Sequence, residues 1–235
     1  MSEAVPSEAA STRSHPTGVG STSGADPRSA VWRTARGPLA LDVPRILGIL
    51  NVTPDSFWDG GRHARVDAAL RRAERLVVEG ADLVDVGGES TRPGARPVPA
   101  AEERGRVLPV VEAMVAEWPD LLVSVDTVKA EVATAALEAG AAVVNDVSGL
   151  RLDPALGEVC AEGGAGLVLM HSRGPVERMA SYETAEYGPD VVGDVVTELR
   201  QSLDRAAKAG VDPEAVVVDP GLGFSKRTEH TVGVL

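Results

Sequence analysis

Three polar side chains with related chemistry stand directly at the ends of aliphatic runs. Asp126 ends the run LLVSVD, Asn145 ends AAVVN and Asp219 ends AVVVD. Carboxylate oxygens accept hydrogen bonds from amino and ring N–H groups, and a carboxamide both donates and accepts. Groups of this kind, held at rigid strand ends, suit a flat heterocycle with donors and acceptors along one edge. The sequence therefore predicts a site for such a ligand where these strand ends meet.

Two long connections are candidates for functional loops. The aliphatic run ILGILN ends in a carboxamide at Asn51 and passes straight into VTPDSFWDGG. A strand that only filled a core would end in a short polar turn. The stretch GGESTRPG at 87–94 is also glycine-rich, but it does not open directly into a helix, so we do not interpret it as a dinucleotide-binding motif.

Composition and motifs exclude several classes of function. A net charge of −12 over 235 residues argues against a nucleic-acid partner, because binding phosphates over a face requires clustered Lys and Arg. No window is apolar for long enough to cross a membrane, and the single Cys160 allows no disulfide, so we expect a cytoplasmic protein without a membrane partner. Nucleophilic and zinc catalysis lack support, since no Ser-His-Asp order, HExxH or P-loop occurs.

From Leu39 onward, short aliphatic runs alternate with longer segments of helical periodicity. Joints such as VEGADLVDVGG place a glycine at a helix end and then a continuous apolar run, which is typical of a helix followed by a buried parallel strand. The pair Asp153 and Pro154 predicts a helix cap followed by proline at the first helical position. We predict strands near 45–50, 82–86, 121–125, 142–145, 166–170 and 215–218, and helices over about 64–79, 100–117, 128–139, 154–162 and 190–209.

Six consecutive βα units fit either an open doubly wound sheet or most of a barrel. An open sheet gathers its site at one switch point, whereas here nearly every strand ends in polar residues. This distribution favours an α/β fold of the TIM (β/α)₈ type, with about six of the eight units present and the site at the carboxyl ends of the strands. We predict a disordered Ser/Ala/Gly/Pro-rich tail over 1–37 and an incomplete barrel domain over 38–235.

Each candidate residue also has a purely structural interpretation. The functional interpretation gains weight only because a barrel would bring independent strand ends to one volume. The structural roles are helix capping for Asp126 and Thr127, turn formation for Asn145 and Asp146, a satisfied histidine near the surface for His171, core packing for Met170 and a solvated loop charge for Arg92.

Taken together, the motifs resemble the dihydropteroate synthase family. ILGILNVTPDSFWDGG, DVGGESTRPGA, SVDT, VNDVSG, LVLMHSRG and VVVDPGLGFSK occur in this order from about Ile46 onward. The resemblance implies a barrel that condenses 4-aminobenzoate with 6-hydroxymethyl-7,8-dihydropterin diphosphate, forming 7,8-dihydropteroate and diphosphate in folate biosynthesis. It further implies Mg²⁺ as cofactor, binding of sulfonamide analogues in place of 4-aminobenzoate, and a homodimer.

The resemblance also implies a role for individual positions in the reaction. It assigns catalysis to Asp126 and to Asp59, the latter in the first of two loops that close over the site. The other matched positions are Asn51 at the Mg²⁺ near the diphosphate, Asp126, Asn145 and Asp219 at the pterin edge, Met170 and Phe224 in the pocket walls, Thr91 at the diphosphate-bearing substrate, and Arg92 in the second loop, beside 4-aminobenzoate.

The family pattern differs from this chain after the sixth strand. The sequence ends in RTEHTVGVL, whereas the pattern continues with strands that end in Ser-Arg-Lys and Arg-x-His. The positive candidates near the diphosphate are then Arg92, His171, Arg173 and Lys226. The alternatives are an inactive fragment or a non-catalytic pterin-binding protein and, with less weight, a methyltetrahydrofolate-binding barrel.

Overall fold

The computed structural model describes residues 30–53, 62–92 and 94–235. Its centre is a parallel sheet of six strands, paired in the order in which they occur along the chain. Two earlier strands, β1 (Val31–Thr34) and β2 (Gly37–Ala40), form an antiparallel hairpin. The six parallel strands are β3 (Leu47–Asn51), β4 (Leu83–Gly87), β5 (Leu122–Asp126), β6 (Val143–Asp146), β7 (Gly166–Met170) and β8 (Val216–Asp219), each close to a predicted strand.

Helices connect the parallel strands, as the sequence periodicity predicts. The five long helices are α1 (Arg62–Val78), α2 (Ala100–Glu117), α3 (Ala130–Glu138), α4 (Ala155–Gly163) and α6 (Val191–Lys208). The shorter elements are α5 (Val176–Met179), α7 (Thr228–Val234) and a 3₁₀ turn at Pro213–Ala215. None of the helices in the described ranges is long and apolar enough to span a membrane.

The two faces of the parallel sheet have different chemistry. The outer face is aliphatic: Val84 and Val123, for example, lie side by side and are fully buried in the main core beneath the helices. The inner face starts with an aliphatic layer at the amino ends of the strands, which includes Leu83. It becomes polar toward the carboxyl ends, where Asp126 lies. A polar layer at that end is where a barrel of this type carries its site.

The β1–β2 hairpin closes the base of the inner face. Trp32, only 7% exposed, packs in a cluster with Leu83 and Val143. Its indole Nε1 donates a hydrogen bond of 2.8 Å to the carbonyl oxygen of Ala215. The hairpin is therefore held by tertiary packing against the amino ends of the parallel strands.

The predicted tail differs from the structure at its boundary. The prediction extended the tail to residue 37, but residues 31–37 belong to the hairpin. The run VWRT is too short to show a period, and its order comes from the burial of one tryptophan, which the local sequence does not reveal. Residues 1–29 lie outside the described part of the chain.

β3 and β8 are the outer strands of the parallel sheet, and each pairs on one side only within the described residues. Ile49 faces the inner side of β3 and is 64% exposed, while Val218 on β8 is also exposed. Parallel strands in sequential order with intervening helices make this an α/β fold of the TIM-barrel type, with six consecutive βα units.

Candidate functional site

A row of four residues crosses the carboxyl ends of β3 to β6. Asn51 is in register with Gly87, Gly87 with Asp126, and Asp126 with Asn145. Residues in register on adjacent parallel strands point to the same face of a sheet. The side chains of Asn51, Asp126 and Asn145 therefore share the inner face at its polar end.

Asn145 is in register with Val168 of β7. Met170, two residues further along β7 on the same face, is in register with Asp219 of β8. The Oδ1 atom of Asp219 accepts a hydrogen bond of 2.7 Å from the Gly221 backbone N–H, which holds the carboxylate at the start of the next turn. Gly221 has a φ of 65°, and a Cβ atom there would overlap the carbonyl oxygen of His171. Only glycine allows the turn to approach β7 so closely.

Gly87 leaves a gap between two of the polar groups. A Cβ atom at Gly87 would lie 3.3 Å from Asp126 Oδ2 and 3.4 Å from Asn51 Oδ1. Both oxygens therefore border the space above this glycine. The missing side chain leaves a gap between these oxygens at the polar, carboxyl-end side of the inner face, which we call the mouth.

Asp85 lies one layer below the row and holds the Asn145 carboxamide. Asn145 Nδ2 donates a hydrogen bond of 2.8 Å to Asp85 Oδ2, so the Asn145 oxygen is left for other partners. Asp85 is 3% exposed, and burial raises its pKa although the bond from Asn145 opposes that shift. Its Oδ1 atom accepts no hydrogen bond from the residues that the structure describes.

The environment of Asp126 favours its neutral form. Burial is the largest cause that raises the pKa of Asp126 well above its usual value, followed by the negative charges of Asp85 and Glu103. A protonated carboxyl donates one hydrogen bond and accepts others, while the ionised form only accepts. A raised pKa of this kind at a strand end makes Asp126 a candidate functional group.

Other residues accept hydrogen bonds at the start of the helix that follows Asp126. Asp153 Oδ2 accepts a hydrogen bond of 2.7 Å from the Ala130 N–H, and Thr127 Oγ1 accepts one of 3.2 Å from the Lys129 N–H. Neither of these bonds involves the Asp126 carboxyl group. Thr127 therefore forms a turn just before α3, whose N-cap residue is Lys129, so neither Thr127 nor Asp126 is the cap of this helix.

An apolar cluster forms one wall beside the polar row. Met170 is buried with Val128, Val147 and Met179, and Phe224 packs against them. Both residues predicted for the pocket wall, Met170 and Phe224, therefore belong to one cluster. Its contact with the end of β7 places an apolar surface next to Asp219.

The two predicted loop residues and Thr91 have different surroundings. Thr91 is half-buried and lines a cleft together with Glu89, Glu103 and Asp126. Arg92 is exposed, and its backbone N–H donates a hydrogen bond of 3.3 Å to Ser90 Oγ. Asp59, the other residue assigned to catalysis, lies outside the described residues.

Three of the four positive candidates are engaged inside the protein. Lys226 is 1% exposed, and its ammonium lies 2.8 Å from His171 Nδ1 and donates to the carbonyl oxygens of Gly221 (3.0 Å) and Phe224 (3.1 Å). Burial lowers the pKa of Lys226 to about 8. Its position corrects the expectation that this lysine is available to a diphosphate.

His171 and Arg173 meet on a common carboxylate. His171 Nε2 lies 3.1 Å from Glu198 Oε2, and the Arg173 guanidinium forms an ion pair with Glu198 and stacks 3.9 Å from the centre of the Tyr187 ring. Burial lowers the pKa of His171 to about 4. A neutral imidazole that accepts from Lys226 at Nδ1 and donates to Glu198 at Nε2 satisfies both contacts. His171 is therefore a satisfied histidine, but it is buried and does not lie near the surface as that interpretation expected.

Comparisons with known proteins identify the family of this chain. Residues 47–235 match the family model described as pterin binding enzyme. The chain is 46% identical over 197 residues to a dihydropteroate synthase of Mycobacterium leprae, covering 84% of this chain and 68% of that protein.

Two solved structures extend the comparison to the fold. A Xanthomonas albilineans dihydropteroate synthase with 4-aminobenzoic acid has a TM-score of 0.77 and 46% identity, covering 87% of this chain and 71% of its own. A Burkholderia cenocepacia dihydropteroate synthase complexed with 7,8-dihydropteroate has a TM-score of 0.75 and 41% identity, covering 88% and 69%. The chain thus spans about two thirds of the length of these relatives, and it belongs to the family of pterin-binding enzymes that contains dihydropteroate synthase.

Proposed function

We propose that this chain carries the pterin-binding mouth of a dihydropteroate synthase. The observation that carries the proposal is the in-register row of Asn51, Asp126 and Asn145, with Asp219 on the same inner face two residues beyond the register of that row. The proposed reaction joins 4-aminobenzoate to 6-hydroxymethyl-7,8-dihydropterin diphosphate. A carbon–nitrogen bond forms at the pterin methylene, the carbon–oxygen bond to diphosphate breaks, and the amine loses a proton.

In this proposal the pterin edge binds to Asp126, Asn145 and Asp219. A pterin presents amino and ring N–H donors beside acceptor atoms, which complements two carboxyl groups and a carboxamide. The bond from Asn145 to Asp85 supports an orientation in which the Asn145 oxygen faces the ligand. Met170 and Phe224 then pack against the ring face.

The proposed chemistry requires no covalent nucleophile. Departure of diphosphate leaves positive charge on the pterin, and a fixed ionised carboxylate stabilises charge of that sign. The raised pKa of Asp126 suits a group that gives or takes a proton as the charge changes. Thr91 is proposed to contact the diphosphate-bearing substrate, and Arg92 and Asp59 the 4-aminobenzoate side, where sulfonamides would compete.

Asn51 fits the proposed Mg²⁺ as a single oxygen ligand. Mg²⁺ prefers oxygen donors and commonly takes only one or two from the protein, with phosphates and water completing the shell. No group of three or more His, Cys, Asp or Glu side chains in the described ranges is arranged to hold a metal ion. Asn51 would therefore contribute one ligand, and the bound ion would supply charge neutralisation at the diphosphate.

A second candidate function is pterin binding without turnover. His171, Arg173 and Lys226 are engaged internally, which leaves Arg92 as the exposed cation among the candidates in the described ranges. A diphosphate would then meet few positive groups on this chain. The same mouth would bind the heterocycle and not promote departure of the diphosphate.

Calorimetry and a diphosphate-release assay separate these possibilities. We expect the 235-residue chain to bind 7,8-dihydropteroate, and Asp126→Asn to weaken binding by about 1 to 3 kcal/mol through loss of a buried hydrogen bond. The matched control is Asp204→Asn, at an exposed position of α6, which should leave affinity unchanged. Diphosphate release on addition of 4-aminobenzoate supports the synthase, while binding without release supports the second candidate. Absence of binding would refute both.

The cellular location and the assembly state belong to the same proposal. A single cysteine in 235 residues suits a reducing cytoplasm. The family resemblance supports a homodimer, which sedimentation analysis of the purified chain tests.

A further inference from the structure

A buried group of three charges lies beside the mouth, and the proposed function does not use it. Lys129, just before α3, binds two carboxylates from different elements: Glu89 in the segment after β4 and Glu103 in the first turn of α2. Its Nζ atom lies 2.7 Å from Glu89 Oε2 and also contacts Glu103 Oε2. We refer to Glu89, Lys129 and Glu103 as the charged triad.

The charged triad is enclosed to a degree that is unusual for three ionisable side chains. The Glu103 side chain is fully buried, that of Glu89 is 10% exposed and that of Lys129 is 23% exposed. Burial alone would lower the pKa of Lys129, but hydrogen bonds to the two carboxylates outweigh it, and the pKa is raised. The lysine is therefore charged at neutral pH, and its contacts are charge-assisted hydrogen bonds.

Glu89 connects the triad to the backbone of the segment that carries Thr91 and Arg92. Its second oxygen, Oε1, accepts a hydrogen bond of 2.7 Å from the Val98 N–H. The Glu89 carboxylate therefore binds both Lys129 and the backbone of Val98, which lies nine residues after Glu89. This bond ties both ends of the stretch 89–98 to the start of α3.

The same cleft is lined by members of the triad and by residues of the proposed site. Glu89 and Glu103 line it together with Thr91 and Asp126. Their negative charges also raise the pKa of Asp126, after the larger effect of burial. The triad thus contacts the site in space as well as along the chain.

We infer that the Glu89–Lys129–Glu103 triad fixes the segment bearing Thr91 and Arg92 against Asp126, which makes Lys129 a positioning residue for the second-substrate side of the mouth. The claim that Lys129 positions the segment for substrate rests on the proposed function. The claim that the charged triad fixes the segment does not. A role in stability alone is the competing explanation. It predicts that any ion pair between α2 and α3 would have the same effect.

Amide hydrogen exchange at Val98 tests the fixing directly and needs no ligand. In ¹⁵N-valine-labelled full chain, Lys129→Met should accelerate exchange at Val98 by at least about tenfold, the factor that corresponds to loss of about one hydrogen bond. Because Lys129→Met leaves Glu103 buried and unpaired, which destabilises strongly, the double variant Lys129→Met/Glu103→Gln and the milder Glu89→Gln are measured in parallel. Lys129→Arg should retain most of the protection.

The control is a second ion pair between the same helices. Arg104 Nη1 lies 3.1 Å from Glu131 Oε1 at an exposed position, so Arg104→Met removes a link between α2 and α3 and leaves the triad intact. It should not change exchange at Val98. Unchanged Val98 exchange in Glu89→Gln and in the double variant, or equal acceleration in Arg104→Met, would overturn the inference.

A second readout connects the segment to substrate. Affinity for 7,8-dihydropteroate should fall at least about tenfold in the double variant and not in Arg104→Met. Faster Val98 exchange with unchanged affinity would show that the charged triad has only a structural role. It would refute the inference that Lys129 positions the segment for substrate. If the unaltered chain itself fails to bind 7,8-dihydropteroate, the proposed function fails, and the exchange data still decide whether the triad fixes the segment.

Discussion

Substitution of Gly87 by alanine separates ligand binding from folding. A Cβ atom at this position would lie 3.3 Å from Asp126 Oδ2 and 3.4 Å from Asn51 Oδ1. Such contacts are tight but require shifts of only a few tenths of an ångström. Replacing glycine by alanine where the backbone allows it stabilises a fold by about 0.4 to 1 kcal/mol. The two effects oppose each other, so we expect the free energy of unfolding to change by less than about 1 kcal/mol.

The effect of Gly87→Ala on the ligand should be much larger. The added methyl group occupies the space between two polar groups that the heterocycle edge must approach. We expect affinity for 7,8-dihydropteroate to fall at least about tenfold, or about 1.4 kcal/mol. Calorimetric titration measures the affinity, and urea denaturation measures the stability.

Gly48→Ala is the matched control because Gly48 faces the opposite side of the adjacent strand. A Cβ atom there would lie 3.1 Å from Ala81 Cβ and 3.2 Å from Leu76 Cβ, in the packing between β3 and α1. We expect this change to cost about 1 to 3 kcal/mol of stability by overpacking and to leave affinity within about twofold. Undiminished affinity in Gly87→Ala, or equal loss of affinity in both variants, would refute the reasoning.

Three further changes test other parts of the account. Asp219→Asn should weaken 7,8-dihydropteroate binding by about 1 to 3 kcal/mol, measured by calorimetry; an unchanged affinity would remove Asp219 from the site. Trp32→Ala should lower the free energy of unfolding by about 3 to 5 kcal/mol, because it removes the tryptophan that packs at the base of the sheet. Val31→Ala, at an exposed position, should change the free energy of unfolding little. Equal effects of the two changes would contradict the packing of the hairpin. His171 has a pKa of about 4 in the folded protein, against an ordinary value of 6.5. The unfolded chain therefore takes up the proton first as pH falls. The free energy of unfolding should decline between pH 6.5 and pH 4 by up to about 3 kcal/mol because of this group. His171→Gln should show a shallower decline in the same denaturation series, and a parallel decline would contradict the lowered pKa.

The strands and long helices could be predicted because their signals are local. A run such as AVVVD is apolar at consecutive positions, which indicates a strand covered on both faces, and the observed β8 lies one residue from its predicted place. The strand-end residues Asn51, Asp126 and Asn145 followed from the same signal, since each ends an apolar run. Their arrangement in one row is a consequence of parallel pairing in register.

Other features depend on tertiary contacts, and their local signal was weak or ambiguous. Asp85 interrupts the run LVDVG, and this acidic residue within an apolar run was the available sign of a buried carboxylate on the inner face. Lys226 follows a strand end in the manner of a ligand-binding residue, but the turn at Gly221 directs it inward to His171. Whether a lysine faces the mouth or the interior depends on that turn, and the residue type alone does not decide it.

The charged triad shows a similar limit of local patterns. Glu89 belongs to the motif GGESTRPG, and its neighbours Thr91 and Arg92 attracted the functional assignments. Its contact with Lys129 spans 40 residues, and the pairing of β4 with β5, the strands that these two residues follow, brings the two groups together. The motif GGESTRPG therefore identified the segment that carries Thr91 and Arg92, but it did not show that Lys129 holds this segment through Glu89.

A crystal structure of the 235-residue chain with 7,8-dihydropteroate tests the central claim most directly. The account predicts the pterin ring at the carboxyl ends of the parallel strands, with its donor edge within hydrogen-bond distance of Asp126, Asn145 and Asp219 and its face against Met170. A pterin bound elsewhere, or bound at the mouth without contact to these three polar side chains, would contradict it.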